Sequence, residues 1–177
     1  MNLTYEVIAD ENIAICKDLC NELMDFQQSV AYIKPELFDD MNFESRLVPS
    51  FQKAEHNYLV VVKDGEEAVA YVYANVNPKT VYASDFATFF DMDSVEGDKV
   101  GCLSQFYIKE GYRQYGIGTK LFQMAFDWLK TFEDIEDHFI FVSNGNDNAL
   151  EFYKRKGFFV SHPILDGFIT VLRNKEV

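Results

Sequence analysis

Cysteine is scarce in this chain: Cys16, Cys20 and Cys102 are the only three in 177 residues. They are too few and too scattered for a disulfide framework or a four-ligand zinc site. Cys16 and Cys20 share a helix face, which reads as two small buried side chains rather than a redox pair. The three histidines, His56, His138 and His162, show no metal-ligand spacing, so no metal is expected. Positive charge is also short, with 16 Lys and Arg against 29 Asp and Glu for a net −13. Such a balance repels polyanions and disfavours nucleic acid as a partner. It suits a cationic small molecule or basic peptide, and equally an acidic surface that serves solubility alone. No apolar stretch approaches bilayer length, and residues 1–10 lack the basic flank and apolar run of a signal peptide. The expectation is a cytoplasmic protein with no membrane association.

With 48% hydrophobic and 25% charged residues, the chain has the composition of a globular protein. Its length fits one domain over 1–177 with a sizeable core, and no repeat or low-complexity linker divides it. Residues 3–9 read as a short strand, and Asp10 as the cap of a helix whose apolar face is Ile13, Cys16, Leu19, Cys20, Leu23 and Met24. A second helix is expected over 42–54. Strands over 58–63 and 68–76, joined by Asp64-Gly65-Glu66-Glu67, form an antiparallel hairpin. Periodicity fails over 77–99, where Tyr82, Phe86, Phe89 and Phe90 mix with Asp85, Asp91, Asp93, Glu96 and Asp98, as in a partly packed functional loop. A strand over 100–108 then leads to Gly116-Ile117-Gly118, which opens a helix with Ile117, Leu121, Met124, Ala125, Trp128 and Leu129 on its apolar face. A strand over 139–143, a turn over 144–147, a helix ending at Gly157 and strands over 158–161 and 167–172 complete an α/β domain.

Chemistry concentrates where the fourth strand meets its helix. Phe106-Tyr107-Ile108 ends the strand, and Arg113-Gln114-Tyr115-Gly116-Ile117-Gly118 opens the helix. Unpaired amides and the helix dipole make such a turn an anion site, and the glycines let backbone approach the ligand closely. A Walker loop would need Lys then Ser or Thr after Gly116, where Ile117-Gly118-Thr119-Lys120 stands. A dinucleotide fingerprint would need a small residue at Leu121 and a place at the start of a parallel unit.

The run resembles the acyl-coenzyme A loop of the GNAT superfamily of N-acetyltransferases, Gln or Arg, two residues, Gly, one residue, then Gly or Ala. Asn146, Ala149, Phe152, Tyr153, Gly157 and Phe158 resemble that family's second stretch, in the right order. The resemblance is specific over residues 103–159. It implies a GNAT fold with a central mixed, mostly antiparallel sheet of six to seven strands and about four helices.

It further implies that the backbone of Gln114, Tyr115, Gly116, Ile117, Gly118 and Thr119, with Arg113, holds the pyrophosphate of acetyl-CoA. Phe106, Tyr107 and Ile108 would pair with the pantetheine arm through their backbone. The strand carrying Phe106 and the strand over 139–143 would splay to admit it, leaving donors for the thioester oxygen. Asn146 matches a pantetheine-contacting position, and a helix cap would explain it equally. Tyr153 matches the tyrosine that protonates the departing thiolate, which in this context outweighs a simple buried aromatic. Lys154, Arg155 and Lys156 read first as complements to the helix dipole. Many relatives carry a Glu on the fourth strand as base; residues 101–108 carry Ser104 and Gln105 and no carboxylate. Asp85, Asp93 and Glu96 are the loop candidates, each more readily a solvated acid.

The implied reaction is acetyl transfer to a primary amine by direct attack in a ternary complex, with a small cationic acceptor favoured by the acidic, aromatic loop. A non-catalytic acyl-CoA sensor or a protein or peptide N-acetyltransferase are the alternatives, and an exposed sheet edge makes a homodimer conceivable.

Overall fold

The computed structural model describes residues 1–83 and 89–176, with Asp10 and Glu11 by backbone alone. The regular elements are β1 (Leu3–Val7), α1 (Lys17–Val30), α2 (Val48–Lys53), β2 (His56–Asp64), β3 (Glu67–Pro78), β4 (Lys99–Ile108), α3 (Ile117–Leu129), β5 (His138–Ser143), α4 (Asp147–Arg155), β6 (Phe159–Ile164) and β7 (Ile169–Arg173). Among the described residues they make one seven-stranded sheet in the order β1-β2-β3-β4-β5-β7-β6. Every neighbouring pair is antiparallel except β4 and β5. The expected α/β architecture, with four helices on a mixed sheet, is the one observed.

Alternation along the central strands divides the core in two. Val60, Val62, Val72 and Ala74 face α3 with Leu121, Ala125 and Leu129. Leu59, Val61, Tyr71 and Tyr73 face α1 with Leu19, Cys20 and Leu23. Both faces being covered, β2 and β3 read as nearly continuous apolar runs. Each fully buried leucine on these helices contributes about 1.5–3 kcal/mol through burial.

The helix expected from an Asp10 cap begins differently. Ala9 occupies the cap without a side-chain bond, and a 3-10 coil over Asp10–Cys16 precedes α1. The tighter three-residue period brings Ile13 and Cys16 to the same core. The helix expected over 42–54 divides as well: Asn42 and Ser45 form a reciprocal cap, a π-helical turn spans Phe43–Leu47, and α2 follows. Pro49 in the first turn of α2 has no N–H to return to residue 45, so the coil cannot run through as one α-helix. The strands mostly extend past their expected ends because polar residues such as Lys99 and His138 continue the ladders.

Of the segment over 77–99, expected to be partly packed, residues 84–88 lie outside the described residues and Phe90 and Val95 of the remainder are buried. Phe90 is buried and stacks on Phe139 with centroids 4.2 Å apart. Arg173 binds the carboxylate of Asp137 at 2.7 Å, and its other bonds reach Ser94, tying this segment to β7. All three cysteines are free and buried, and desolvation pushes Cys16, Cys20 and Cys102 up to about 12, 11 and 12. They are inert small side chains, as read. No described helix is long and apolar enough to cross a membrane.

Candidate active site

β4 and β5 share only three pairs, Gly101 with His138, Cys102 with Phe139 and Leu103 with Ile140. β4 runs on to Ile108 and β5 to Ser143 without meeting again. A bulge lies immediately past the last shared pair: Tyr73 opposes Gln105 and Ala74 opposes Leu103, so Ser104 is the extra residue. A bulge bends and twists its strand, and here it turns β4 away from β5. The splay expected from the family resemblance is therefore present. A cavity of about 490 Å³ occupies the gap and reaches both faces of the sheet. Leu23, Met24 and Arg46 line it on the α1 side, and Gly118, Phe152 and Tyr153 on the α3 and α4 side. Alternate backbone groups of β4 past Leu103, unclaimed by β5, face this gap.

At the α3 end, Gly116 caps the helix with φ 73° and ψ 8°, a left-handed geometry that glycine adopts without strain. No side chain caps it, and the first backbone bond is Lys120 N–H to the Gly116 carbonyl at 3.2 Å. The amides of Ile117, Gly118 and Thr119 are thereby left for a ligand. A Cβ on Gly118 would stand 3.3 Å from Ile108 Cδ1 and 3.8 Å from the rings of Phe106 and Phe152. Ile117 is buried beneath this turn, while Gln114, Tyr115 and Thr119 stand exposed around it. Arg113 donates from Nε to the Ile108 carbonyl at 3.0 Å, lies over the Phe26 ring and lines the cavity. Lys120 instead sits over the Tyr5 ring of β1 at 3.9 Å.

On α4, Asn146 stands at the cap position with no side-chain cap bond and lines the cavity, which removes the capping explanation for it. Tyr153 is 6% exposed and is packed edge-on to Phe106 and Phe152, beside Phe122. Desolvation raises its pKa above the ordinary phenol range, so the hydroxyl stays protonated at working pH. Arg155 lines the cavity, while Lys154 pairs with Glu151 and Lys156 lies over Phe122 and Phe152.

Sequence reasoning missed three residues here. Asn144 reads as a turn residue; in the fold its carboxamide accepts from the Tyr32 and Ile33 amides at 2.8 Å and donates to the Ile33 and Phe168 carbonyls. It holds the segment after α1 against the gap. Ser143 lines the cavity with a buried hydroxyl that has no partner among the described residues. Arg46, inside an expected helix, faces the cavity from the π-helical turn. The signal for Asn144 and Ser143 was their place at the end of the strand that splays.

Gln105 fills the stretch of β4 where a base is often found. Its Oε1 accepts from the Tyr71 hydroxyl at 2.7 Å and from Cys20 Sγ at 3.4 Å, and Nε2 donates to the Arg46 carbonyl at 3.4 Å. A neutral carboxamide removes no proton. Of the loop candidates, Asp85 lies outside the described residues, and Asp93 and Glu96 do not line the cavity. Among the described residues the walls carry three arginines and neither carboxylate nor histidine. The described residues hold no cluster of His, Cys, Asp and Glu fit for a metal ion.

A splayed parallel pair with an uncapped glycine turn beside the gap defines an acyl-CoA-binding transferase architecture. The sequence matches the model of the acetyltransferase (GNAT) family over residues 17–158, and the chain belongs to that family of N-acetyltransferases. It is similar in fold to a PaiA N-acetyltransferase from Thermoplasma acidophilum solved with coenzyme A, at 15% identity and TM-score 0.67, covering 99% of this chain and 100% of that one. It is similar to Naa50 from Arabidopsis thaliana, solved with the bisubstrate analogue CoA-Ac-MVNAL, at 14% identity and TM-score 0.64 over 99% and 100% of the two chains. A chain of the NatC complex bound to Gag peptide and CoA matches at 14% identity and TM-score 0.64, over 100% of both chains. No curated protein sequence matches this chain.

Proposed function

We propose that this protein transfers an acetyl group from acetyl-CoA to a primary amine by direct attack while both are bound. The observation that carries the reading is the β4–β5 ladder that stops at Leu103 and Ile140 and opens a cavity leading to the uncapped start of α3. The residues present fit the coenzyme. The backbone of Gln114, Tyr115, Gly116, Ile117, Gly118 and Thr119 holds the pyrophosphate, with Arg113 and Arg155 adding charge. The free edge of Phe106, Tyr107 and Ile108 takes the pantetheine as an added strand, with Asn146 across the gap and the orphaned Ser143 hydroxyl at its end. The thioester supplies the activated acetyl group. Backbone N–H groups in the gap polarise its carbonyl, and Tyr153 gives its proton to the leaving sulfur.

No described wall residue is a base, so the amine is captured in its neutral form or deprotonated through water. At pH 7 about one part in two thousand of an amine near pKa 10.4 is neutral, and the rate rises with pH accordingly. The small polycationic acceptor expected from the acidic loop finds little support in the cavity. Asp91 and Asp93 do not line it, one oxygen of Asp91 accepts from the Asp93 amide at 3.0 Å, and Asp85 lies outside the described residues.

The test is saturable acetyl-CoA binding together with thiol release on adding amines. Gly118→Val, which pushes two methyl groups into the groove beside Ile108, should weaken acetyl-CoA binding by about tenfold or more. Unchanged binding in that variant sinks the loop assignment. Gln105, in a stretch of β4 that carries no carboxylate, favours a second reading, an acyl-CoA-binding module without turnover. Binding without thiol release, with amino acids, polyamines and peptides all supplied, decides for it.

A further inference from the structure

Arg46 carries a charge for which the described protein supplies no counter-charge. It lies on the α1 side of the gap, across the sheet from the α3 turn that receives the pyrophosphate. Its position is fixed from the backbone: its N–H donates to the Asn42 carbonyl at 2.8 Å, and its carbonyl accepts from Gln105 Nε2 at 3.4 Å. Gln105 is the residue after the Ser104 bulge, so Arg46 is anchored at the apex of the splay. The side chain is exposed to solvent where it lines the cavity, and the protein packed around it lowers its pKa through desolvation.

Neighbours that would neutralise it are neutral themselves or occupied. Burial pushes Cys20 up to about 11 and Tyr71 well above the ordinary phenol range. Glu44, two residues away, pairs with Lys17 at 3.0 Å. Leu23, Met24, Phe38, Met41 and Phe168 supply the apolar remainder of this end. An arginine on the wall of a cavity whose described lining holds no carboxylate can pair there with an anionic group of a ligand. Its planar fork matches a carboxylate with two parallel hydrogen bonds.

Building on the transferase reading above, we propose that the acceptor is an amino acid, whose carboxylate pairs with Arg46 while its amino group faces the thioester in the gap. Arg46 then sets which amines are acetylated, and the coenzyme is held by the opposite face.

The experiment compares each amino acid with the amine left by removing its carboxylate: lysine with cadaverine, histidine with histamine, tyrosine with tyramine. For at least one pair kcat/KM should favour the amino acid by about 10- to 100-fold, the worth of one charge-assisted pair. Arg46→Gln should bring that ratio to within about threefold, acting through KM, with acetyl-CoA Kd read on the same sample as the control. Equal use of both members of every pair, preference for the decarboxylated amines, or a parallel loss of acetyl-CoA affinity in Arg46→Gln overturns the proposal while leaving the transferase reading intact. If no amine is turned over, the transferase reading fails first. Binding of N-acetyl amino acids and N-acetyl amines to the CoA complex then decides: tighter binding of the acids that Arg46→Gln abolishes supports the anchor, and equal binding refutes it.

Discussion

Replacing Tyr153 by Phe isolates one proton. The substitution removes an oxygen and keeps the ring that packs against Phe106, Phe122 and Phe152. Desolvation alone accounts for the raised pKa of this phenol, so no protein hydrogen bond offsets its burial, and stability should change by less than about 1 kcal/mol. Activity should change far more. A thiol of pKa near 8.5 is a fair leaving group, so the benefit of protonating it belongs at the low end of the 10²–10⁴ range for general acids, about 100-fold in kcat. A phenol pushed above 10 donates poorly to an ordinary thiolate. The same aromatic walls that raise the phenol also raise a thiolate released among them, which restores the match. Acetyl-CoA KM should move little, because the hydroxyl acts after the carbonyl has been attacked. The wild-type rate should rise with pH through amine deprotonation and show no falling limb below about pH 10. The assay is thiol release across pH 6–10 for both proteins, with calorimetric acetyl-CoA binding alongside. A Tyr153→Phe kcat within threefold of wild type would refute the acid role.

Two further outcomes concern stability. His138 is buried, and desolvation pushes its pKa down to about 4, so the folded state refuses a proton that the unfolded chain takes near 6.5. Its contribution is complete above pH 6.5 and is lost as pH falls below it; about 2 kcal/mol should disappear between pH 7.5 and 5. His138→Gln should flatten that slope in urea melts, and an unchanged slope would assign it to another group. Gly145 has φ +84°, and a Cβ there would lie 2.0 Å from the Val30 carbonyl oxygen at the end of α1. Gly145→Ala should cost about 3 kcal/mol or more, near 10 °C in Tm by thermal denaturation, and a shift under 2 °C would contradict the close approach.

The parts of the fold legible in the sequence are those set by local periodicity and turn chemistry. The start of α3 was legible because Gly116-Ile117-Gly118 opens it, and its apolar residues keep the helical period. The β2–β3 hairpin was read because Asp64-Gly65-Glu66-Glu67 is turn chemistry between two apolar runs. The Ser104 bulge was not legible, since it exists only as a mismatch between the registers of β3 and β4. Nothing local marks Arg46 either. Its role depends on Pro49 breaking the coil and on Gln105, fifty-nine residues away, taking its carbonyl. The glycine turn that opens α3 was legible because it is backbone geometry, and glycine spacing records backbone. The acceptor end is built from side chains on elements far apart in the chain.

Charge separates the two scales most clearly. A net −13 pointed toward a cationic acceptor, yet the described cavity walls carry Arg46, Arg113 and Arg155 and no carboxylate. Both facts stand, because exposed carboxylates act through water and are screened over about 8 Å at physiological salt. A ligand inside the gap instead meets walls whose charged side chains, among the described residues, are these three arginines. Arg155 belongs to α4, and Arg113 stands before the glycine turn with its guanidinium over Phe26 of α1. Arg46, on the π-helical turn beside Gln105, is the one of the three farthest in sequence from the proposed acyl-CoA loop, and on our proposal it is the group from which the sign of the acceptor should be read.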